Sequence, residues 1–513
     1  MVLFVKIVSQ FSTNLQMPLE LKYLISFISR RLLAVLSLCI FGSATMSASP
    51  ATDLTPQQLA SIDRFVLAEM ARERIPGVAI GIYSRGKILL AKGYGLANIE
   101  LNVPVKPETV FQSGSVGKQF VSAAIMLLVE EGKIGLDDSI VKYFQKAPSS
   151  WQSIKVKNLL SHTSGLAEYD SSERSGPNGP FYLRLDFTED QLVENMEALP
   201  IEFKPGEKWR YRNTNYVLLG ALIHKVTGTF YADFLQQRIF KPLAMNSTRL
   251  ISEADIIPNR SSGYELVDDK IQNQAWVSPT FNSTADGALY FNVLDLCKWD
   301  QALYGTALLK QSSLDQLWTV FPLDDGKPNP DHYGFGWHID SVNGHKLIEH
   351  GGAWQGFESQ ISRYVDDSIT VVVLSNLGPS QPDQFAKVIA GLVNSSLMAP
   401  KLTAIEDKFP EVASRLALFL DQLAAGKNVE DQLSPEMASH FTPDVATYMT
   451  RTLLKPVWPA DSRYLVSRTE RDGAITLSSY RVSKNSESRI VDFGLALNGK
   501  ISTFGIHPDP DVR

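Results

Sequence analysis

Cysteine is nearly missing from this sequence, with two in 513 residues, and Cys39 lies in an N-terminal stretch of leader-like composition. If that leader is removed only Cys297 remains, so no intramolecular disulfide can brace the mature chain and its stability must come from a core. Cys297, in Val-Leu-Asp-Leu-Cys-Lys-Trp, reads as a buried packing thiol. A basic excess is missing too. Lys and Arg number 49 against 55 Asp and Glu, a net charge of -6, which gives no footprint for nucleic acid and no acidic tail. The eight histidines form no His-x-His-x-Asp cluster and no His-Glu-x-x-His helix, so neither metal nor cofactor is expected. The apolar run Leu32 to Phe41 is short for a membrane span.

What is present reads as ordinary globular protein, 44% hydrophobic and 20% charged, and long enough for two domains. Residues 1–50 differ: Arg30 and Arg31 precede the apolar run, and small residues follow through Ala48, the pattern of a secretory signal. The chain is therefore expected to be exported, periplasmic or secreted. An uncleaved anchor and a start at Met17 are the alternatives.

The most informative stretch is 111–132, Phe-Gln-Ser-Gly-Ser-Val-Gly-Lys-Gln-Phe and the apolar helix pattern after it. Ser115 and Lys118 fall three apart at the positive end of that helix, so the amine can reach the hydroxyl and take its proton during attack on a carbonyl. The same spacing at Ser84/Lys87, in an Arg-Gly turn, and at Ser139/Lys142, in a connection, opens no buried helix. His162, in Ser-His-Thr-Ser, is expected to hydrogen-bond its own turn rather than to catalyse. Residues 167–190, rich in Ser, Gly, Pro and charge, suit a mobile loop near a substrate. Tyr211 and Asn213, two apart just before a helical run, can point into one cleft.

Strand patterns occupy 78–83 and 88–94 around Arg85-Gly86, and return at 336–342, 346–350, 357–365 and 369–375, with an Asn343-Gly344 turn. They imply one antiparallel sheet with helices on both faces. Residues 398–410 look like a linker. Residues 411–513 pair a helix with four strands and read as a separate small α+β domain with a binding or packing role.

Ser115-Val-Gly-Lys118, Tyr211-Arg-Asn213 and His350-Gly-Gly352, in that order, resemble the three signature motifs of the serine β-lactamase and penicillin-binding superfamily, in its class C-like branch. The resemblance covers 54–397. The C-terminal part loosely resembles cystatin-like or nuclear-transport-factor-like modules. The implied fold is α/β (α+β) and β-lactamase-like: an antiparallel sheet flanked by helices, a helical subdomain, then the small α+β domain.

Carried over residue by residue, the resemblance implies that Ser115 is the nucleophile. Lys118 and Tyr211 are jointly its base, the phenol having a pKa depressed between cations. Asn213 orients the substrate amide. The N–H groups of Ser115 and Ala353 hold the oxyanion, and Gly351 and Gly352 keep the strand edge open. Trp354 and Phe357 either line the mouth or pack the core. His350 stands where class C β-lactamases carry a lysine, as in esterase and peptidase relatives. The implied protein is a serine hydrolase of esters, amides or D-amino-acid peptides. The alternatives are a class C-like β-lactamase and a binding protein without turnover that contacts cell wall or membrane surface. A small-molecule or peptide substrate is the expected partner, with no nucleic acid.

Overall fold

The computed structural model describes residues 53–509 except 145, 268, 269, 379, 399, 400, 442, 472 and 473. The expected leader, residues 1–50, lies outside the described residues. Helix α1 (Pro56–Glu73) begins with a reciprocal cap between Thr55 and Gln58, with Pro56 in its first turn. It leads into β1 (Gly77–Ser84) and β2 (Lys87–Asn98). Both turn residues between them, Arg85 and Gly86, have positive φ, the conformation that fits a two-residue hairpin to the strand twist.

The central sheet adds β3 (Val103–Pro104), β4 (His338–Val342), β5 (His345–Trp354), β6 (Phe357–Tyr364) and β7 (Ile369–Ser375). The order is β3-β2-β1-β7-β6-β5-β4, antiparallel throughout. The Gly351-Gly352-Ala353 stretch, beyond the expected strand end at His350, continues β5 to Trp354.

Strand β1 is buried along its whole length because each face of the sheet carries a layer. Ala79 and Tyr83, with Val372 and Leu374, face one apolar cluster that contains α2 (Lys118–Glu130), α3 (Asn213–Thr227) and α4 (Val293–Ala302). Val78, Ile80 and Ile82, with Val371 and Val373, face a second cluster that contains α1 and α5 (Pro382–Val393). Period-two alternation thus feeds both cores from one strand. A fully buried ion pair, Arg363 Nε to Asp300 Oδ1 at 2.8 Å, with Thr370 on the same carboxylate oxygen, ties α4 to the sheet. Removing one partner of such a pair costs about 3–5 kcal/mol.

The C-terminal segment carries α6 (Pro410–Ala424) and the consecutive antiparallel strands β8 (Ser462–Arg471), β9 (Ala474–Lys484), β10 (Glu487–Leu495) and β11 (Ile501–Pro508). Its core residues Leu416, Phe419, Val491, Phe493 and Phe504 belong to the same apolar cluster as α1 and α5. Within the linker-like stretch, Ile405 donates its N–H to Leu465 O, and the Asp407 carboxylate accepts from Arg468 and Tyr480.

Candidate active site

Gly114 adopts φ +48°, and a Cβ there would lie 2.4 Å from Ala353 N, so only glycine allows the turn to press against β5. The turn continues as one 3-10 helix, Gly114–Gly117, whose axis runs into α2 at Lys118. Ser115 therefore sits just before α2, and Lys118 opens it. The crossing is equally close from the other side: a Cβ on Gly352 would meet Ser113 O at 2.2 Å and Ser115 N at 2.7 Å. Ser359 Oγ stitches the contact by donating to Ser113 O at 2.6 Å.

Lys118 is fully buried. Its ammonium donates to Ser115 Oγ (2.8 Å), Asn213 Oδ1 (2.8 Å) and the Asp286 carbonyl (2.5 Å), which uses all three protons. Burial lowers its pKa to about 8, against the opposing pull of Asp286, Glu168 and Asp170. Asn213 is locked in turn, because its amide NH₂ donates to Asp170 Oδ2 at 3.0 Å. The Glu168 carboxylate accepts the N–H groups of Asn213 (2.7 Å) and Thr214 (3.3 Å) and so caps α3. Tyr169 donates its hydroxyl to Asp286 Oδ2 at 2.9 Å. Burial holds the Asp170 carboxyl well above the carboxylate range, and the neighbouring Glu168 adds to this.

Tyr211 faces Ser115, and the Lys118 ammonium lies 5.0 Å from the centre of its ring. The expected phenol of depressed pKa is corrected by the structure. Desolvation holds Tyr211 well above 10, the interaction with Ser115 lowers it less, and Lys118 sits over the ring face rather than at the hydroxyl. Tyr211 is a protonated phenol. His350 does not replace the lysine cation. Its Nδ1 donates to Gly351 O at 2.6 Å, its Nε2 accepts from Tyr333 OH at 2.9 Å, and burial pushes its pKa well below 6.5. His350 is therefore neutral, and its hydrogen bonds go to Tyr333 and Gly351, not to the nucleophile. The His162 ring does not bond its own turn: its Nδ1 accepts from Arg212 N–H and Asn215 Nδ2, and the ring packs 4.2 Å from that of Tyr211.

A cavity of about 70 Å³ opens over Ser115, lined also by Asn213, Asp170, Asp286, Ala353 and Trp354. Ser115 and Ala353 meet at its edge. Phe357 is instead a core residue, edge-on to Phe111. Residues 167–190 fold back onto the body, with Leu183 and Phe187 bonded to Ser278 and Thr280 and Phe181 fully buried. Sequence reasoning missed Glu168, Asp170, Asp286 and Tyr333. Glu168 and Asp170 stand immediately after the Ser-His-Thr-Ser-Gly-Leu landmark, which was the available signal.

The Beta-lactamase family profile matches residues 62–393. Penicillin-binding protein 4* of Bacillus subtilis (strain 168) is 30% identical over 310 residues, 57% of this chain and 66% of that relative, so the match spans just under two thirds of its length. A D-stereospecific amidohydrolase from Streptomyces sp. superposes with a TM-score of 0.54 at 25% identity, covering 65% of this chain and 98% of that one. The octameric penicillin-binding protein homologue from Pyrococcus abyssi gives 0.59 at 24% identity over 87% and 95%, a likeness of fold.

Proposed function

The chain belongs to the Beta-lactamase family, and from that premise we propose that it is an exported serine hydrolase that forms an acyl-enzyme on Ser115 with an ester, amide or D-amino-acid peptide. The observation that carries this reading is the Lys118–Ser115 hydrogen bond, 2.8 Å long, with the amine brought to about pKa 8. The neutral amine accepts the hydroxyl proton as Ser115 Oγ bonds to the carbonyl carbon. The N–H groups of Ser115 and Ala353 stabilise the oxyanion. As the intermediate collapses, the Lys118 ammonium gives the leaving group the proton it took from Ser115, while the protonated Tyr211 phenol faces Ser115. Water then attacks the ester on Ser115 by the same proton path in reverse. Asn213, fixed between Lys118 and Asp170, presents its amide to the substrate.

Neutral His350 and the carboxyl groups of Asp170 and Asp286 favour esters and amides over β-lactams. A substrate carboxylate would find no second cation among the residues lining this cavity. The likeness to a D-stereospecific amidohydrolase supports the same choice. Export rests on the leader-like composition of residues 1–50.

The test is initial-rate hydrolysis of a chromogenic short-chain ester, a D-alanine anilide and a chromogenic cephalosporin, each beside Ser115→Ala. Ester or anilide turnover that vanishes in the variant is expected. Turnover retained by Ser115→Ala would sink the mechanism, and preference for the cephalosporin would give first place to a β-lactamase.

A further inference from the structure

His162 is fully buried and sits at φ +58°, in the left-handed region that few residues other than glycine and asparagine enter without strain. Its ring nitrogen Nε2 has no hydrogen-bond partner among the described residues. Neither feature helps the fold. Positions that keep such local strain are commonly functional ones.

Residues 208–212 run into α3 without regular secondary structure, so no ladder fixes the backbone that carries Tyr211. His162 does so instead, from both sides. Its carbonyl accepts Arg210 N–H at 3.0 Å and its Nδ1 accepts Arg212 N–H at 3.2 Å, the peptide groups that flank Tyr211. Asn213 N–H, one residue further on, goes to Glu168. The imidazole also packs against the phenol, with ring centres 4.2 Å apart. Tyr211 in turn faces Ser115.

Nδ1 is itself held as an acceptor. Asn215 Nδ2 donates to it at 3.1 Å, and Ser164 Oγ, donating to Asn215 Oδ1 at 2.6 Å, sets the amide that way round. Two donors converging on Nδ1 leave the ring proton on Nε2. Burial, with Lys118 next, pushes the pKa well below 6.5 and keeps the ring neutral. A cation there would turn Nδ1 into a donor and break its hold on Arg212.

We propose that His162 is a positioning residue for Tyr211, its carbonyl and Nδ1 fixing the backbone on either side so that the phenol meets Ser115. The proposal rests on the acyl-transfer reading of Ser115. It gives the histidine a part in turnover although His162 does not line the cavity over the nucleophile.

The test is a double-substitution cycle on the full chain, read as kcat and KM for p-nitrophenyl acetate beside the melting temperature. His162→Phe keeps a ring of similar shape and removes the acceptor. Its kcat should fall about thirtyfold with KM changed less than about twofold, since a displaced phenol is felt in the transition state. Tyr211→Phe should slow turnover by a similar factor, and the pair together should lie within about twofold of the slower single variant. His162→Asn, whose Oδ1 takes the place of Nδ1 and which tolerates a left-handed backbone, should recover kcat to within about fivefold of wild type. If His162→Phe does not fold, His162→Gln replaces it, with its acceptor one bond too far out and the same loss expected. Losses that multiply in the pair, an unchanged kcat in His162→Phe or Tyr211→Phe, or His162→Asn as slow as His162→Phe would overturn the proposal. Failure of the parent reading shows separately, as hydrolysis indifferent to Ser115→Ala, and the proposal then falls with it.

Discussion

Replacing Asp286 with asparagine should shift the acid limb of the pH–rate profile downwards. Lys118 must lose its proton to act as a base, and burial has already brought its pKa from 10.5 to about 8. At pH 7 that leaves about 9% of the amine neutral, against about 0.03% for an unperturbed lysine. The Asp286 carboxylate works against burial by stabilising the ammonium. At roughly 6 Å and an effective dielectric of about 20, one such charge is worth about 3 kcal/mol. Solvent at the cavity mouth reduces this, so we expect a fall of about one pKa unit. The asparagine keeps the backbone carbonyl that accepts from Lys118 and an amide oxygen for Tyr169. kcat/KM for a neutral ester, measured across the range from about pH 6 to 10, should then rise roughly fivefold at pH 7 with little change on the plateau. Circular dichroism would verify that the variant is folded. An acid limb that stays in place or moves upward would refute Lys118 as the titrating base.

Two further perturbations test the frame around the site. Gly352→Ala places a methyl group against Ser113 O and Ser115 N and should push β5 off the nucleophile turn. We expect kcat to fall about a hundredfold with the melting temperature lowered only modestly, and near-normal kcat would show that the close crossing is not needed. Glu73 is fully buried, and desolvation raises its carboxyl from 4.5 to about 7 despite the Arg72 guanidinium. A raised carboxyl contributes stability below about pH 4.5 that is lost as pH rises through 7, at most about 3 kcal/mol. Glu73→Gln should therefore melt a few degrees above the wild type at pH 8 and level with it at pH 4.5, and an equal difference at both values would refute the assignment.

The sheet and its hairpins were legible because alternation and turn chemistry are local: Arg85-Gly86 and Asn343-Gly344 both carry positive φ at both residues. The Ser115–Lys118 pair was legible because its spacing lies within one short run. Asp286 was not, since it reaches Lys118 through a backbone carbonyl 168 residues away, which leaves no pattern in the chain. Glu168 caps a helix that starts 45 residues later. The ionisation of Tyr211 and His350 was misjudged or undetermined for one reason, that desolvation depends on what finally covers a ring. The helix at the start of residues 411–513 was legible in the chain, but not what would pack against it.

That covering has a consequence for how the protein is inherited and cut. Phe419, Phe493 and Phe504 share a cluster with Val66, Ile389 and Val373, while the residues around the cavity over Ser115 come from 114–354. The tail is chemically remote yet mechanically continuous with the sheet, more keel than appendage. A chimaera that exchanges residues 401–513 must carry matched faces of α1 and α5 with them. The interchangeable module therefore includes a first helix more than 300 residues upstream of the sequence boundary.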